Sequence, residues 1–291
     1  MGNTDSNDRF VVIFKKFLKD LDISIGALEK LCCSKEPIFF HKLRLLQTFF
    51  ILLVFHLFLQ PCFALTNEEI QRFQSSLIDK PIGERIAFWA EKFVGTPYDM
   101  DPLGEYVSKE AIVADERVDC MYLTFRAVEL ALSYTPEETI QIALEKRFRS
   151  KGILKDGKVV NYEDRFEYGE DMIYSRKWGK DITGELGKTI RIKGSRGKHF
   201  VDALSSSALL RGIGNLKSGD ILFFIKKPED RKKEEIVGHI GIIKVKQSAK
   251  NQVYIIHASG TKDRGGVVKK ILLKDYISKM PFIGAKITRF Q

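Results

Sequence analysis

Residues 220–225 read DILFFI, 239–245 HIGIIKV, 252–257 QVYIIH, 267–272 VVKKIL and 284–289 GAKITR. Each run is short, rich in β-branched or aromatic side chains, and set off by turn-forming or charged residues. That is the pattern of strands joined by short connections. Five of them in the last quarter of the chain predict an antiparallel meander. The chain before them has a helical texture. Thr66 with Glu69 forms a capping box opening a helix to about Leu77. Ile82, Ile86, Trp89, Ala90 and Phe93 mark a second helix, stopped by Gly95 and Pro97. Asp119 opens a third, with Cys120, Leu123, Thr124, Ala127, Leu130 and Ala131 on neighbouring faces, and Thr135-Pro136-Glu137-Glu138 opens a fourth to about Phe148. Residues 150–215 are polar and Gly-rich with aromatic islands, a long excursion with one helix around Arg165–Arg176. Helices followed by strands predict an α+β domain, with helices packed on an antiparallel sheet.

The chain has 291 residues, 44% of them apolar and 30% charged, with net charge +10. That apolar fraction excludes disorder, and 8 prolines and 22 glycines exclude collagen-like architecture. Basic residues number 8 and acidic residues 6 in positions 1–64, which leaves net +8 on the 227 that follow, a length that suits one domain. Such a surface suits acidic partners. Aromatic-interleaved RNA motifs and zinc-finger spacing are absent, and no nucleic-acid partner is expected.

The N-terminal region divides in two. Residues 45–59, LLQTFFILLVFHLFL, lack charge, follow Lys42 and Arg44, and lead to Cys62-Phe63-Ala64, an A-x-A-like exit. This describes a secretory signal peptide over residues 41–64. The run is shorter than the roughly 20 residues of a membrane span, so an uncleaved membrane anchor is the second reading. Residues 1–40 form a leader of unclear role, explained by a start codon placed too far upstream or by a cytoplasmic tail. Residues 65–291 are the functional domain, expected to be exported to the periplasm or cell envelope.

Three of the four cysteines, Cys32, Cys33 and Cys62, precede that domain, so Cys120 is its single thiol. An unpaired cysteine is a spare thiol, a core residue or a nucleophile. Its position at a helix start favours the nucleophile, because free N–H groups and the positive dipole end stabilise a thiolate and can receive an oxyanion. A thiol nucleophile needs a base. His239 and His257 lie on adjacent strands, 18 residues apart. With a turn flanked by Lys246 and Lys250, residue 245 opposes 251, 243 opposes 253, 241 opposes 255, and His239 opposes His257 on one face, with Cβ atoms about 5 Å apart. That pair suits a base and its orienting partner. Cys120 with two histidines could also supply three zinc ligands, but paired ligand motifs are missing, and no metal or cofactor is expected. Ser259 lacks a Gly-x-Ser-x-Gly setting for a serine hydrolase.

Five ordered motifs extend this reading. Phe93-Val94-Gly95-Thr96-Pro97-Tyr98, Val118-Asp119-Cys120, Ser218-Gly219-Asp220-Ile221-Leu222-Phe223-Phe224, Gly238-His239-Ile240-Gly241-Ile242 and Ile256-His257-Ala258-Ser259 resemble those of the NlpC-type papain-like cell-wall cysteine hydrolases. The excursion, with Tyr162-Glu163-Asp164-Arg165-Phe166-Glu167-Tyr168 and Asp181-Ile182-Thr183, and the ending Gly284–Arg289 resemble the N-acetylmuramoyl-L-alanine amidase-like branch, a former domain-of-unknown-function family. The resemblance spans roughly Ile82 to Arg289. It implies a papain-like fold with a long insertion between the nucleophile helix and the sheet. It also implies Cys120 as nucleophile, His239 as general base and acid, His257 as orienting residue, and Tyr98 as active-site tyrosine. Arg165, Tyr168 and Ser259 become candidate muropeptide-binding residues. The chain departs from the pattern at Met121 and Tyr122, where small hydroxyl residues are usual, and at Glu167, where the branch has His.

The expected function is hydrolysis of an amide in peptidoglycan fragments, most simply the bond from the lactyl group of N-acetylmuramic acid to L-Ala. Two alternatives are a γ-D-Glu–diamino acid endopeptidase of the same fold and a non-catalytic basic wall-binding module, membrane-tethered through residues 45–59. The export reading is checked by N-terminal sequencing of protein made in a bacterium. Leu65 or a near neighbour should come first, whereas a species beginning at Met1 and fractionating with membranes would point to the anchor.

Overall fold

The computed structural model describes residues 65–232, 234–246 and 252–291. The predicted capping box forms: the Glu69 N–H donates to Thr66 Oγ1 at 3.2 Å, and the Thr66 N–H donates to the Glu69 carboxylate at 3.0 Å. It opens α1 (Asn67–Ser76). α2 (Ile82–Lys92) buries Ile86, Ala87, Trp89 and Ala90. A short α3 (Glu105–Ser108) precedes α4 (Cys120–Leu132), in which every residue from Tyr122 to Ala131 is buried. A helix enclosed on all sides is a central one. α5 (Pro136–Lys146) begins with Thr135 Oγ1 accepting from the Glu138 N–H.

The excursion holds more regular structure than its composition suggests. It carries the hairpin β1 (Leu154–Lys155) and β2 (Lys158–Val159), then α6 (Gly169–Ser175), β3 (Lys180–Asp181), β4 (Ile190–Lys193), β5 (Phe200–Ser205) and α7 (Ser206–Arg211). The helix predicted around Arg165–Arg176 is shorter at its start. Asp171 accepts from the Tyr168 N–H at 3.2 Å and sets the helix entry there. The predicted strands are β6 (Ile221–Ile225), β7 (Val237–Lys246), β8 (Gln252–Thr261), β9 (Gly265–Leu272) and β10 (Gly284–Arg289), with α8 (Leu273–Ile277) before the last.

These strands form one antiparallel sheet in the order β4-β5-β10-β6-β7-β8-β9, and β3 continues the β5 edge along β10. The α+β class follows directly. β10 sits centrally, paired with β6 over Gly284–Thr288. One face, with Phe223, Ile240, Ile242 and Ile256, packs into the core shared with α2 and α4. The other, with Leu222, Phe224, Ile243 and Ile255, packs with Leu209 of α7 and Leu273 of α8. All five residues of β6 are buried, so its unbroken apolar run reflects cover on both faces.

The β7–β8 register differs from the predicted one. Lys246 opposes Gln252 and Ile242 opposes Ile256, a displacement of two residues. The ladder closes on a longer connection, residues 247–251, which lie outside the described residues. The displacement is even, so facing is preserved. Residues 1–64, and with them the proposed signal peptide or tether, also lie outside the described residues. Among the described residues no helix is long and apolar enough to cross a membrane.

Two buried ion pairs brace α4. Arg126 holds Asp115 through two bonds of 2.8 and 2.7 Å, and Arg147 holds Glu129 through two of 2.6 Å. Tyr122 donates its hydroxyl to Asp115 at 2.8 Å. Buried charges persist only when paired, and removing one partner leaves the other uncompensated. Glu129→Gln should therefore lower unfolding stability by about 3–5 kcal/mol in urea titrations. Lys151→Gln, at the exposed pair with Glu145, should leave the midpoint unchanged.

Candidate active site

Asp119 starts α4 as predicted: its extended backbone turns into the helix and its carboxylate accepts from the Tyr122 N–H at 2.8 Å. The lead-in is tied to the Pro97-Tyr98 segment. The Val118 N–H donates to Pro97 O at 3.0 Å, and the Asp99 N–H to Val118 O at 3.1 Å. The Tyr98 N–H donates to Gly266 O at 2.8 Å, which stitches the same segment to β9. Gly260 admits the Tyr98 ring against β8, because a Cβ there would lie 2.5 Å from the ring. Burial, and secondarily the nearby Cys120, raise the Tyr98 hydroxyl above its ordinary range.

The sheet forks beside the thiol. The β7–β8 ladder pairs from Lys246 to Ile242, whereas β8 continues on β9 to Thr261 and β7 on β6 to Val237. The Ile240 N–H, at this fork, is near enough to the half-buried Cys120 sulfur to favour its anionic form. His239, the preceding residue, and His257 lie together beside the Tyr276 ring. His239 Nε2 lies 2.9 Å from His257 Nδ1, with the rings perpendicular. The predicted pairing of the histidines is thus present as a side-chain contact between diagonal neighbours. Phe282 stacks parallel to His239, and Tyr276 lies with its ring 4.9 Å from that of His257.

The shared hydrogen bond ties the two tautomers together, since one ring nitrogen must donate and the other accept. With Nε2 of His239 as donor, its Nδ1 keeps a lone pair and is the basic nitrogen. His257 is 4% exposed, and its Nε2 is buried without a partner. Burial, and secondarily His257, push His239 down to about 3; burial, and secondarily Lys269, push His257 down to about 4. Burial and then the Asp119 carboxylate push the Cys120 thiol up to about 12, against opposing help from the Ile240 N–H and Lys262. The thiolate expected from the helix start is therefore not the resting form. The free site holds a neutral thiol and neutral imidazoles.

Two neighbours carried no signal in the sequence. Lys262 donates to Asp99 O at 3.0 Å, stands 3.5 Å from Asp119 Oδ2, and places its ammonium 5.7 Å from the Tyr98 ring centroid. It is the cation beside the thiol, but it sits in a charged turn that reads as solvated loop. Tyr276, on α8, lies in the connection between β9 and β10, outside every motif read from the sequence. The binding candidates divide. Ser259 follows His257 by two residues on the same face of β8 and pairs with Val267. Tyr168 caps α6 beneath the Arg196 guanidinium, 4.0 Å from its ring. The adjacent Gly169 packs on β7, where a Cβ would meet Val237 at 2.6 Å and Ile240 at 3.2 Å. Glu170 accepts from the Ile236 and Val237 N–H groups, holding the start of β7. Arg165 donates to Tyr162 O at 3.1 Å and lies 3.6 Å from Glu167, contacts that brace the excursion.

No family model matches the chain, and no curated protein matches its sequence. Solved structures do match. An N-acetylmuramoyl-L-alanine amidase from Bacteroides uniformis is 22% identical over 72% of this chain and 98% of its own, with a TM-score of 0.55. A Legionella pneumophila protein of family DUF1460 is 18% identical over 76% of this chain and 93% of its own, with a TM-score of 0.57. The chain shares their fold.

A buried histidine, His257, and a half-buried one, His239, both held neutral, make stability pH-dependent. Their folded pKa values lie below the unfolded one, so between about pH 6.5 and pH 4 the unfolded chain takes up protons the folded chain refuses. Stability is full above that window and falls as pH drops, by up to about 1.4 kcal/mol per pH unit for each histidine. His257→Gln should flatten this fall in urea titrations from pH 7 to 4.5. An unchanged slope would show that His257 is not held neutral.

Proposed function

We propose that the chain is a cysteine-dependent amidase of peptidoglycan fragments on a papain-like, NlpC-type scaffold, cleaving the N-acetylmuramoyl–L-alanine bond. One observation carries the reading: a thiol at a helix start, under the influence of the backbone N–H of the residue after His239, whose imidazole is in turn held by His257 at 2.9 Å. The fold likeness to a protein named N-acetylmuramoyl-L-alanine amidase supports the substrate class. The same reading places the enzyme in the cell envelope after export.

The chemistry follows from the neutral resting state. His239 Nδ1 takes the thiol proton as the sulfur adds to the amide carbonyl carbon. The negative charge on the carbonyl oxygen needs donors at the helix start. The Leu123 N–H already serves Asp119 O and the Tyr122 N–H the Asp119 side chain, which leaves the N–H groups of Cys120 and Met121. His239 returns its proton to the departing L-Ala nitrogen as the C–N bond breaks. It then deprotonates the water that attacks the thioester, releasing the lactyl carboxylate and the thiol. His257 keeps the imidazole in the tautomer this cycle needs. In this reading Tyr98, Tyr168 and Ser259 would contact the substrate, and the basic domain suits carboxylate-bearing stem peptides.

Cys120→Ser should lower turnover of defined muropeptides on the order of 10³-fold or more, with thermal stability nearly unmoved. His239→Ala should lose most activity and His257→Ala less. Product masses report the bond: free stem peptide beginning at L-Ala fits the amidase, and cleavage after D-Glu fits an endopeptidase. Undiminished hydrolysis by Cys120→Ser would sink the cysteine mechanism.

A further inference from the structure

A cavity of about 640 Å³ lies away from the thiol; its lining includes none of Cys120, His239 and His257. Ile173 and Tyr174 of α6, Arg176 just beyond it, Lys180 and Asp181 of β3, and Lys198 of the β4–β5 connection line it. The volume falls in the range of small-molecule sites, roughly 300–1,000 Å³. Its electrostatics are one-sided. Asp181 is already held by Lys286 at 2.7 Å and by the Thr183 hydroxyl, and Lys180 is held by Glu185 at 2.8 Å. Arg176 and Lys198 have no carboxylate partner among the described residues. Lys198 stands 4.6 Å from the centroid of the half-exposed Tyr174 ring.

Two further observations single out Arg176. Its φ is 60°, a left-handed conformation that glycine or asparagine adopts at lower cost, yet an arginine occupies it. A second hollow of about 280 Å³ shares Arg176 and Lys180, but its other cations are engaged. Lys177 donates to the carbonyls of Glu145 and Phe148, and Arg289 grips Asp220. The guanidinium at the junction is left open. Unpaired guanidinium and ammonium groups flanking an aromatic ring match an anionic group carried on a sugar or peptide, with the planar guanidinium able to hold a carboxylate or phosphate through two bonds.

We propose that this hollow is an anion-binding site, separate from the catalytic cleft, in which Arg176 and Lys198 grip a carboxylate- or phosphate-bearing segment of a cell-wall glycan against Tyr174. Its identification as wall glycan rests on the proposed function; the anion site itself does not. α6 links the two places: its first residue packs on Val237 and Ile240 beside His239, and its last precedes Arg176. Seven helical residues span about 10 Å, so one polymer strand could reach both ends.

The test uses full-length protein with Cys120→Ser, so that binding is read without cleavage, in co-sedimentation with purified peptidoglycan sacculi. Arg176→Gln with Lys198→Gln should weaken binding at least tenfold and reduce its salt dependence, and Arg176→Lys should retain most of it. Lys151→Gln with Lys158→Gln removes the same charge from the exposed surface at and before the β1–β2 hairpin and should leave binding unchanged. In the otherwise wild-type enzyme, the cavity double variant should hydrolyse a small soluble muropeptide at the normal rate. Hydrofluoric-acid stripping of phosphodiester-linked polymers separates the sources: binding lost on stripping assigns phosphate, and binding kept assigns carboxylate. Equal losses from both double variants, or no loss from the cavity pair, would overturn the proposal. Failure of the amidase reading would instead appear as sacculus binding that still depends on Arg176, with no hydrolysis.

Discussion

One backbone donor links the helical half of the molecule to the sheet at the point that matters: the Ile240 N–H, whose nearness to the Cys120 sulfur favours its anionic form. It is available there because the β7–β8 pairing ends at Ile242, so the N–H is not committed to β8, while Ile240 stays paired with Phe223 of β6. The fork therefore does two things at once. It provides the donor for the thiol, and it opens the space where His239 and His257 meet. A continuous ladder through Ile240 would close that space and commit its hydrogen bonds elsewhere.

Holding a helix end in a fork requires that the rest of the helix cannot shift. The buried pairs Arg126–Asp115 and Arg147–Glu129 resist such motion, since sliding α4 would strand charges in a dry core. On the strand side, Glu170 fastens the start of β7 through two backbone N–H groups. The excursion thus belongs to the site's support: α6 carries Glu170, and Gly169 lets that helix lie flat on Val237 and Ile240. Enclosure also decides the charge state. Burial and Asp119 favour the thiol over the thiolate, and burial favours neutral imidazole, so in the proposed mechanism proton transfer belongs to the attack itself.

Much of this was legible in the residues. The capping signals at Thr66 and Asp119 act through local hydrogen bonds, and they appear where the side chains place them. Strand positions follow from β-branched runs, and the shared face of His239 and His257 follows from parity alone. What depends on distant contacts was not legible. The register slipped by two because residues near Lys246 and Gln252 fit a shorter or longer turn equally well. β4 and β5 are short and carry Arg191, Lys193 and Asp202, so they read as loop until β10 supplies a partner. The thiolate expectation failed because a helix dipole is local, whereas burial is set by the whole fold. Lys262 gained its place beside Asp119 only through the β8–β9 turn.

The central claim is that Cys120 forms a thioester with the acyl side of the scissile amide. Intact-mass spectrometry of enzyme acid-quenched during turnover of a defined muropeptide tests this most directly. A transient adduct on the Cys120 peptide with the mass of the muramoyl portion, missing from Cys120→Ser, is the predicted result. Active turnover with no adduct under any quench time, and with an unmodified Cys120 throughout, would contradict it.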